Sequence, residues 1–467
     1  MSDALLRVYH ALPGPLRSLA ASLRGFQLRR WRYGPETDGM VTQALERECW
    51  SKERWNAWRG ERLARLLHTA ATEVPYYREM WSKRRRRGNR SDWEDLENWP
   101  ILEKEPLREN PRSFVADDLD VRRMFHLHTS GTSGKPLDIW AARSSLRTWY
   151  ALFEARCRRW NGLSRHDRWA VLGGQLVAPV GQRHPPFWVW NAALSQLYMS
   201  SYHLAPALIP YYLEALCRYR VSYLCGYTSS LYSLALEALR LNQRDLQLAV
   251  VLTYAEPLFD FQRKTISEAF GCPVRETYGM AEMVAGASEC EAGVLHLWPE
   301  VSVTEVLATQ GRAAEESVGE ILCTGLLNGD MPLIRYRVGD RGTLRVESGG
   351  VCGCGRTLPV LHALEGRVDE VLYTRDGRRI GRLDPVFKDR LPVREAQIIQ
   401  ETLDLVRVRY VAAPNFTAAA GQSIIERLQA RMGPVQVVLE EVREIPRAAN
   451  GKFRAVISHV GATRQDG

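Results

Sequence analysis

Nine consecutive residues, His128-Thr129-Ser130-Gly131-Thr132-Ser133-Gly134-Lys135-Pro136, combine hydroxyls, glycines and a lysine in the way that phosphate binding requires. Glycine lets the backbone approach an anion and take positive φ, so successive N–H groups can point at one set of oxygens. The hydroxyls of Thr129, Ser130, Thr132 and Ser133 add donors, and Lys135 adds charge. The spacing is not that of a Walker A loop: two residues separate Gly131 from Gly134, and Pro136 follows the lysine. A plain Ser/Gly turn of the same composition is the alternative.

A second stretch, Glu276-Thr277-Tyr278-Gly279-Met280-Ala281-Glu282, delivers an aromatic ring, a glycine and a carboxylate. Tyr278 can lie flat on an adenine, and Glu282 offers the hard oxygen that Mg²⁺ prefers; a strand-end turn with a surface glutamate is the bland reading. Cys352-Gly353-Cys354-Gly355-Arg356, taken with Cys290 and His296, makes a three-thiol, one-imidazole set suited to structural Zn²⁺. Whether the two pieces meet stays open, and free thiols in a glycine-rich turn are the alternative.

These residues need elements to hold them. Short apolar runs (169–172, 221–225, 248–253, 274–277) alternate with helical spacing (144–160, 207–220, 229–241, 258–270). That pattern predicts a largely parallel sheet covered on both faces. Ligands then sit beyond the carboxyl ends of the strands, where Gly226-Tyr227-Thr228 and Tyr254-Ala255-Glu256-Pro257 fall. Upstream, a long amphipathic helix is expected over 42–74, ended by Pro75, with Arg84 to Arg87 in a solvated loop. Residues 4–33 mix leucines with arginines; a helix packed on its own domain with arginines outside is the expectation, and a membrane-surface helix the alternative.

The chain has 467 residues, net charge +9 and nine irregularly spaced cysteines. The length suggests two to three domains with ample core. Arginines are scattered among acids and no nucleic-acid-reading motif occurs, so nucleic acid is not an expected partner. No signal peptide and no apolar run of roughly 18–20 residues is found, which predicts a soluble cytoplasmic protein.

Taken together, the motifs resemble those of the adenylate-forming superfamily, in its phenylacetate-coenzyme A ligase-like branch. The resemblance is carried by the 128–136 loop, by Val74-Pro75-Tyr76-Tyr77-Arg78, Trp99 to Lys104 and the Tyr278 stretch, then by Pro332 to Asp340, Gly366-Arg367-Val368-Asp369 and Pro446 to Arg454. It implies a large α/β domain of parallel and mixed sheets plus a small α+β lid. The expected divisions are a helical part over 1–120, an ATP- and acyl-binding core over 121–366 and a mobile lid over 367–467. It also implies that Thr129 to Lys135 hold the phosphates of ATP and that Glu256, Tyr278 and Gly279 flank the nucleotide. Asp340 would take the ribose hydroxyls, Arg367 neighbour the nucleotide, Asp369 act as pivot and Lys452 be the catalytic lysine. The C-x-C-G-R element of that branch favours the Cys290/His296/Cys352/Cys354 set as a Zn²⁺ site. From position, Trp188, Trp190, Tyr198, Tyr202, His203 and Tyr227 are placed near an acyl pocket, with Tyr202, His203 and Tyr227 as its named residues.

The implied reaction is ATP- and Mg²⁺-dependent adenylation of a carboxylic acid, followed by transfer to coenzyme A. The stretch Thr374 to Phe387 lacks the Arg-Gly-x-Asn-Val-Phe-Pro form of phenylacetate ligases and looks more like the branch found with capsular polysaccharide genes. Transfer to an amine or sugar is therefore the alternative. A nucleotide-binding scaffold without activity is disfavoured by the retention of Glu282, Asp340 and Lys452. A homodimer and weak membrane-surface contact are compatible with these features.

Overall fold

The computed structural model describes residues 3–128, 137–179, 181–243, 245–307, 318–345, 352–367, 372–375, 379–380, 386, 392–447 and 453–460. They form one twelve-stranded sheet, a four-stranded sheet near the C-terminus and two short ribbons. Named by first residue, the large sheet runs Ser302, Gly319, Tyr336, Val360, Leu295, Gly286, Val274, Val250, Tyr223, Trp169, Gln196 and Trp188.

Five neighbours are parallel: Val274–Gly279, Val250–Tyr254, Tyr223–Tyr227, Trp169–Gly173 and Gln196–Ser200. Both faces of these strands are buried, as continuous apolar runs require. Leu172, Leu224 and Val251 meet the helices Ile209–Arg218, Thr228–Arg240 and Asp260–Phe270 on one side. Val171, Tyr223, Val250 and Leu252 meet Thr37–Arg47 and Arg143–Phe153 on the other. The parallel expectation holds for this half alone. From Gly286–Glu289 through Ser302–Leu307 the pairings are antiparallel, as is the outer Trp188–Asn191 strand. Among the described residues no crossover helix separates those strands, as antiparallel neighbours allow.

The helix expected over 42–74 is two helices, Thr37–Arg47 and Lys52–Glu73. Ser51 caps the second by accepting from the Arg54 amide at 3.3 Å. Pro75 ends that helix and also begins the next, Pro75–Arg86, because its fixed φ suits a first turn. Arg84, Arg85 and Arg86 thus form a last helical turn, where cations complement exposed carbonyls, rather than a loop. Near the N-terminus, Asp3–Ala11 and Gly14–Arg32 are helices packed on the domain, but with Ser18, Ser22 and Gly25 inward rather than the leucines.

The small domain is α+β: strands Val393–Gln400, Leu405–Ala412, Gln436–Glu441 and Val456–Ser458 carry helix Ala418–Met432. Ile398, Val406, Val408, Ile424 and Leu428 form its core. Among the described residues no helix is long and apolar enough to cross a membrane.

Candidate active site

The five parallel strands end side by side. Past those ends lie Gly174, Tyr202, Thr228, Glu256 and Glu282, brought to one edge by the strand pairings. The Tyr278 hydroxyl donates to Asp340 Oδ2 at 2.7 Å. Burial, then the neighbouring Asp340 charge, holds the Tyr278 phenol well above its ordinary pKa. Asp340 in turn stands directly opposite Arg367 in the pairing of Tyr336–Arg345 with Val360–Arg367. The Tyr278 and Asp340 side chains therefore meet, with the backbone of Arg367 on the neighbouring strand. Glu282 is buried and accepts from the Tyr336 hydroxyl at 3.0 Å. Gly279, at the exposed end of its strand, leaves backbone open to a ligand.

Backbone strain gathers at the same edge. Ala255, Met283 and Arg335, each beside Glu256, Glu282 or Tyr336, adopt left-handed φ of 65°, 57° and 46°. Such conformations cost of order 1–3 kcal/mol and persist where surrounding contacts over-determine them.

Glu256 joins the two domains. Its Oε2 accepts from the Ser229 amide at 2.8 Å, at the start of helix Thr228–Arg240, and its Oε1 from the Phe453 amide at 2.7 Å. Burial raises its pKa above the ordinary glutamate range, against the two amide bonds that lower it. The same helix receives the small domain elsewhere. Glu237 accepts from Arg394 at 3.0 Å and Ser233 donates to Glu395 at 3.4 Å, while Arg447 bonds Glu395. Phe453 is the residue after Lys452, so the end of the lysine motif stands at the strand-end edge.

Tyr202 and Tyr227 meet at one turn. The Tyr202 hydroxyl donates to Gly174 O at 3.0 Å, and Tyr227 accepts from the Gly174 amide. Burial pushes the Tyr227 phenol up to about 12. Tyr198 accepts from the Gln175 amide, and a Cβ on Gly173 would lie 2.6 Å from its hydroxyl, so only glycine fits there. His203 is engaged differently. It is buried, with Nδ1 against Ser200 Oγ at 2.9 Å, Nε2 against Pro179 O at 3.0 Å and its ring on Phe187. These contacts hold His203 against the end of strand Gln196–Ser200.

Cys290, His296, Cys352 and Cys354 also come together, one ligand atom from each within 4.8 Å of the others. Cys290 Sγ to Cys352 Sγ is 3.9 Å, and Cys354 Sγ to His296 Nε2 is 3.5 Å. A tetrahedron with ligand distances of about 2.0–2.3 Å has edges of about 3.3–3.8 Å, so the set fits Zn²⁺. His296 Nδ1 faces Leu358 O at 3.1 Å, which leaves Nε2 for the metal.

Thr129 to Lys135, Asp369 and Lys452 lie outside the described residues, as does the Arg367 side chain. Strands Phe125–His128 and Asp138–Ala141, which flank the Thr129 to Lys135 stretch in the chain, pair antiparallel. Tyr336 and Ser229 were not singled out from sequence. Tyr336 lies inside the Pro332 to Asp340 motif, yet only the fold reveals that it faces Glu282. Lys104 likewise donates to Val338 O at 2.7 Å, tying the Trp99 to Lys104 segment beside Asp340.

Residues 372–459 match the family model of the CapK C-terminal domain. Over 97% of this chain and 99% of its own length, Protein CapK of Staphylococcus aureus is 23% identical. Phenylacetate-coenzyme A ligase of Thermus thermophilus is 26% identical over 71% of this chain and 74% of its own. Among solved structures, 2-hydroxyisobutyryl-CoA ligase in the postadenylation state superposes with TM-score 0.67, at 22% identity, covering 88% of this chain and 91% of that one. The same ligase in its thioesterification state gives 0.53. The fold is therefore that of adenylate-forming ligases.

Proposed function

We propose that this adenylate-forming, phenylacetate-coenzyme A ligase-like and CapK-like protein works as an AMP-forming acid ligase. A substrate carboxylate oxygen attacks the α-phosphorus of ATP; a P–O bond to the carboxylate forms as the bond to pyrophosphate breaks. Thr129 to Lys135 hold the phosphates, and Tyr278 stacks on adenine while its hydroxyl steadies Asp340 for the ribose hydroxyls. Glu282, held by Tyr336, would offer an oxygen to Mg²⁺, and the ion would supply charge that favours departure of pyrophosphate. Lys452 meets the charge that accumulates between carboxylate and α-phosphate. Arg367 borders the nucleotide, Asp369 is the pivot, and Tyr202 and Tyr227 wall the acyl pocket with His203 behind them.

The observation that carries this reading is the bond from the Phe453 amide to Glu256. It holds Phe453, the neighbour of Lys452 in the chain, at the carboxyl edge of the parallel strands, which supports Lys452 as the proposed catalytic lysine. Carboxylate-dependent exchange of pyrophosphate into ATP, over aryl, fatty, amino and sugar acids, is the test. One acid should support exchange, and Lys452→Ala should lower it on the order of 10²- to 10³-fold, as loss of one preorganised donor does. Exchange that is unchanged in Lys452→Ala would remove that lysine from the mechanism.

The acceptor follows from the second half-reaction, in which a thiol, amine or hydroxyl attacks the acyl carbonyl, AMP leaves and the acceptor loses its proton. Coenzyme A is the first reading. An amine or sugar acceptor is the second reading, kept because similarity to phenylacetate ligase extends over 71% of the chain whereas residues 372–459 match the CapK C-terminal domain. Product formation with and without coenzyme A separates the two. Cys290, His296, Cys352 and Cys354 are proposed as a closed structural Zn²⁺ site with no part in the chemistry.

A further inference from the structure

The helix Gly14–Arg32 is inverted relative to an ordinary surface helix. Its inward face is small and polar. Ser18 Oγ accepts from the Trp190 amide at 3.2 Å, Ser22 Oγ donates to Trp190 O at 3.3 Å and accepts from the Ala192 amide at 3.0 Å. Gly25 lies so close to Asn191 that a Cβ would meet its side chain at 2.0 Å. Buried Arg17 donates to Gln182 Oε1 at 3.0 Å. These contacts seal the free edge of Trp188–Asn191, the outermost strand, and anchor the helix firmly.

Its outward face is apolar. Leu16, Leu19, Leu23 and Phe26 recur at helical spacing and are 47–64% exposed, and Val8 of the preceding helix is 63% exposed. Scattered exposed leucines need no explanation, but a continuous stripe marks a contact surface. The charge around it has one sign. Between Ala4 and Pro35 there is no Asp or Glu, and Arg7, Arg24, Arg29 and Arg30 are exposed. A twofold pairing of this stripe with a second copy would set those arginines against their own counterparts with no acid in either segment. A lipid surface bearing anionic headgroups satisfies both features at once.

We propose that this stripe docks the protein on the surface of an anionic lipid bilayer, with Leu16, Leu19, Leu23 and Phe26 inserted at the headgroup boundary and the flanking arginines on the headgroups. The attachment is peripheral and reversible. It would place the ligand edge of the sheet, reached at Tyr202 one strand in from the outermost strand, within reach of substrates carried by that surface.

The test is cosedimentation of the full-length protein with phosphatidylglycerol–phosphatidylcholine vesicles and with pure phosphatidylcholine vesicles at low salt. Binding should favour the anionic vesicles on the order of 10²- to 10³-fold, from four arginines near the surface. Leu19→Ser with Leu23→Ser keeps every charge and should abolish binding, while thermal melting shows the fold retained. Arg24→Gln with Arg29→Gln and Arg30→Gln should erase the preference for anionic lipid. The proposal is overturned by binding that the serine variant keeps, since that is general attraction of a basic protein. Absence of binding by the parent chain also overturns it, as does a lipid-free dimer that the serine variant dissociates, because a second copy then covers the stripe.

Discussion

Tyr278 and Asp340 are 62 residues apart in the chain, yet hydroxyl and carboxylate are 2.7 Å apart. Tyr278 was legible as a ring that could lie on adenine, and the resemblance singled out Asp340 as the carboxylate proposed for the ribose; their bond was not legible, because it depends on which strands neighbour one another. A hydrogen bond to a charged group contributes about 1.5–3 kcal/mol, which is about 10- to 100-fold in binding. Tyr278→Phe keeps the ring and removes the tether. The KM for ATP in the exchange assay should rise within that range while kcat changes little; an unaltered KM would show that the hydroxyl does not position Asp340. Nearby, burial and then the Glu289 charge push Glu276 up to about 7, so this strand carries a carboxyl that holds its proton well above the usual range.

At the level of elements, periodicity read the parallel half well and the N-terminal helices poorly. Apolar residues continue at acceptable helical spacing across 45–55, so the N-cap Ser51 is the one local sign of the break after Arg47. The cause is tertiary. Glu48 turns inward to accept from Trp160 at 2.9 Å, Arg356 at 3.0 Å and Arg156 at 3.4 Å, and Arg156 itself grips Glu300 with bonds of 2.8 and 2.9 Å. Burial raises the Glu48 pKa in spite of these cations. Breaking a buried ion pair leaves an uncompensated charge and costs about 3–5 kcal/mol. Arg156→Met should therefore destabilise the large domain by that amount in urea unfolding. Arg156→Met with Glu300→Leu should recover part of the loss, since the stranded charge goes too; a double variant as unstable as the sum of the singles would mean the two do not act as a pair.

In the whole molecule, the thiol–imidazole cluster ties distant parts of the antiparallel half together. Cys290 follows Gly286–Glu289, and His296 pairs with Val360 at the start of the strand that ends at Arg367. Arg356, two residues past Cys354, extends the tie to Glu48 and Glu291. Purified protein should hold one Zn²⁺ per chain, measured by mass spectrometry of the metal, and Cys352→Ser or Cys354→Ser should lose it. Chelation should lower Tm, and added Zn²⁺ should restore it; a metal-free protein with an unchanged melt would reduce the cluster to free thiols. The sequence by itself determined four of the five parallel strands, the helices between them and the residue types at their ends; Gln196–Ser200 was not legible. Burial pattern, turn residues and side-chain type are properties of short segments. Only the tertiary structure decided which of those groups meet: Tyr278 with Asp340, Glu256 with Phe453, Cys290 with Cys352. It also decided that the first leucine stripe faces outward, because serines at the same helical period hydrogen-bond a strand edge more than 160 residues away. Such contacts arise from pairing and packing between remote segments, which no local pattern encodes.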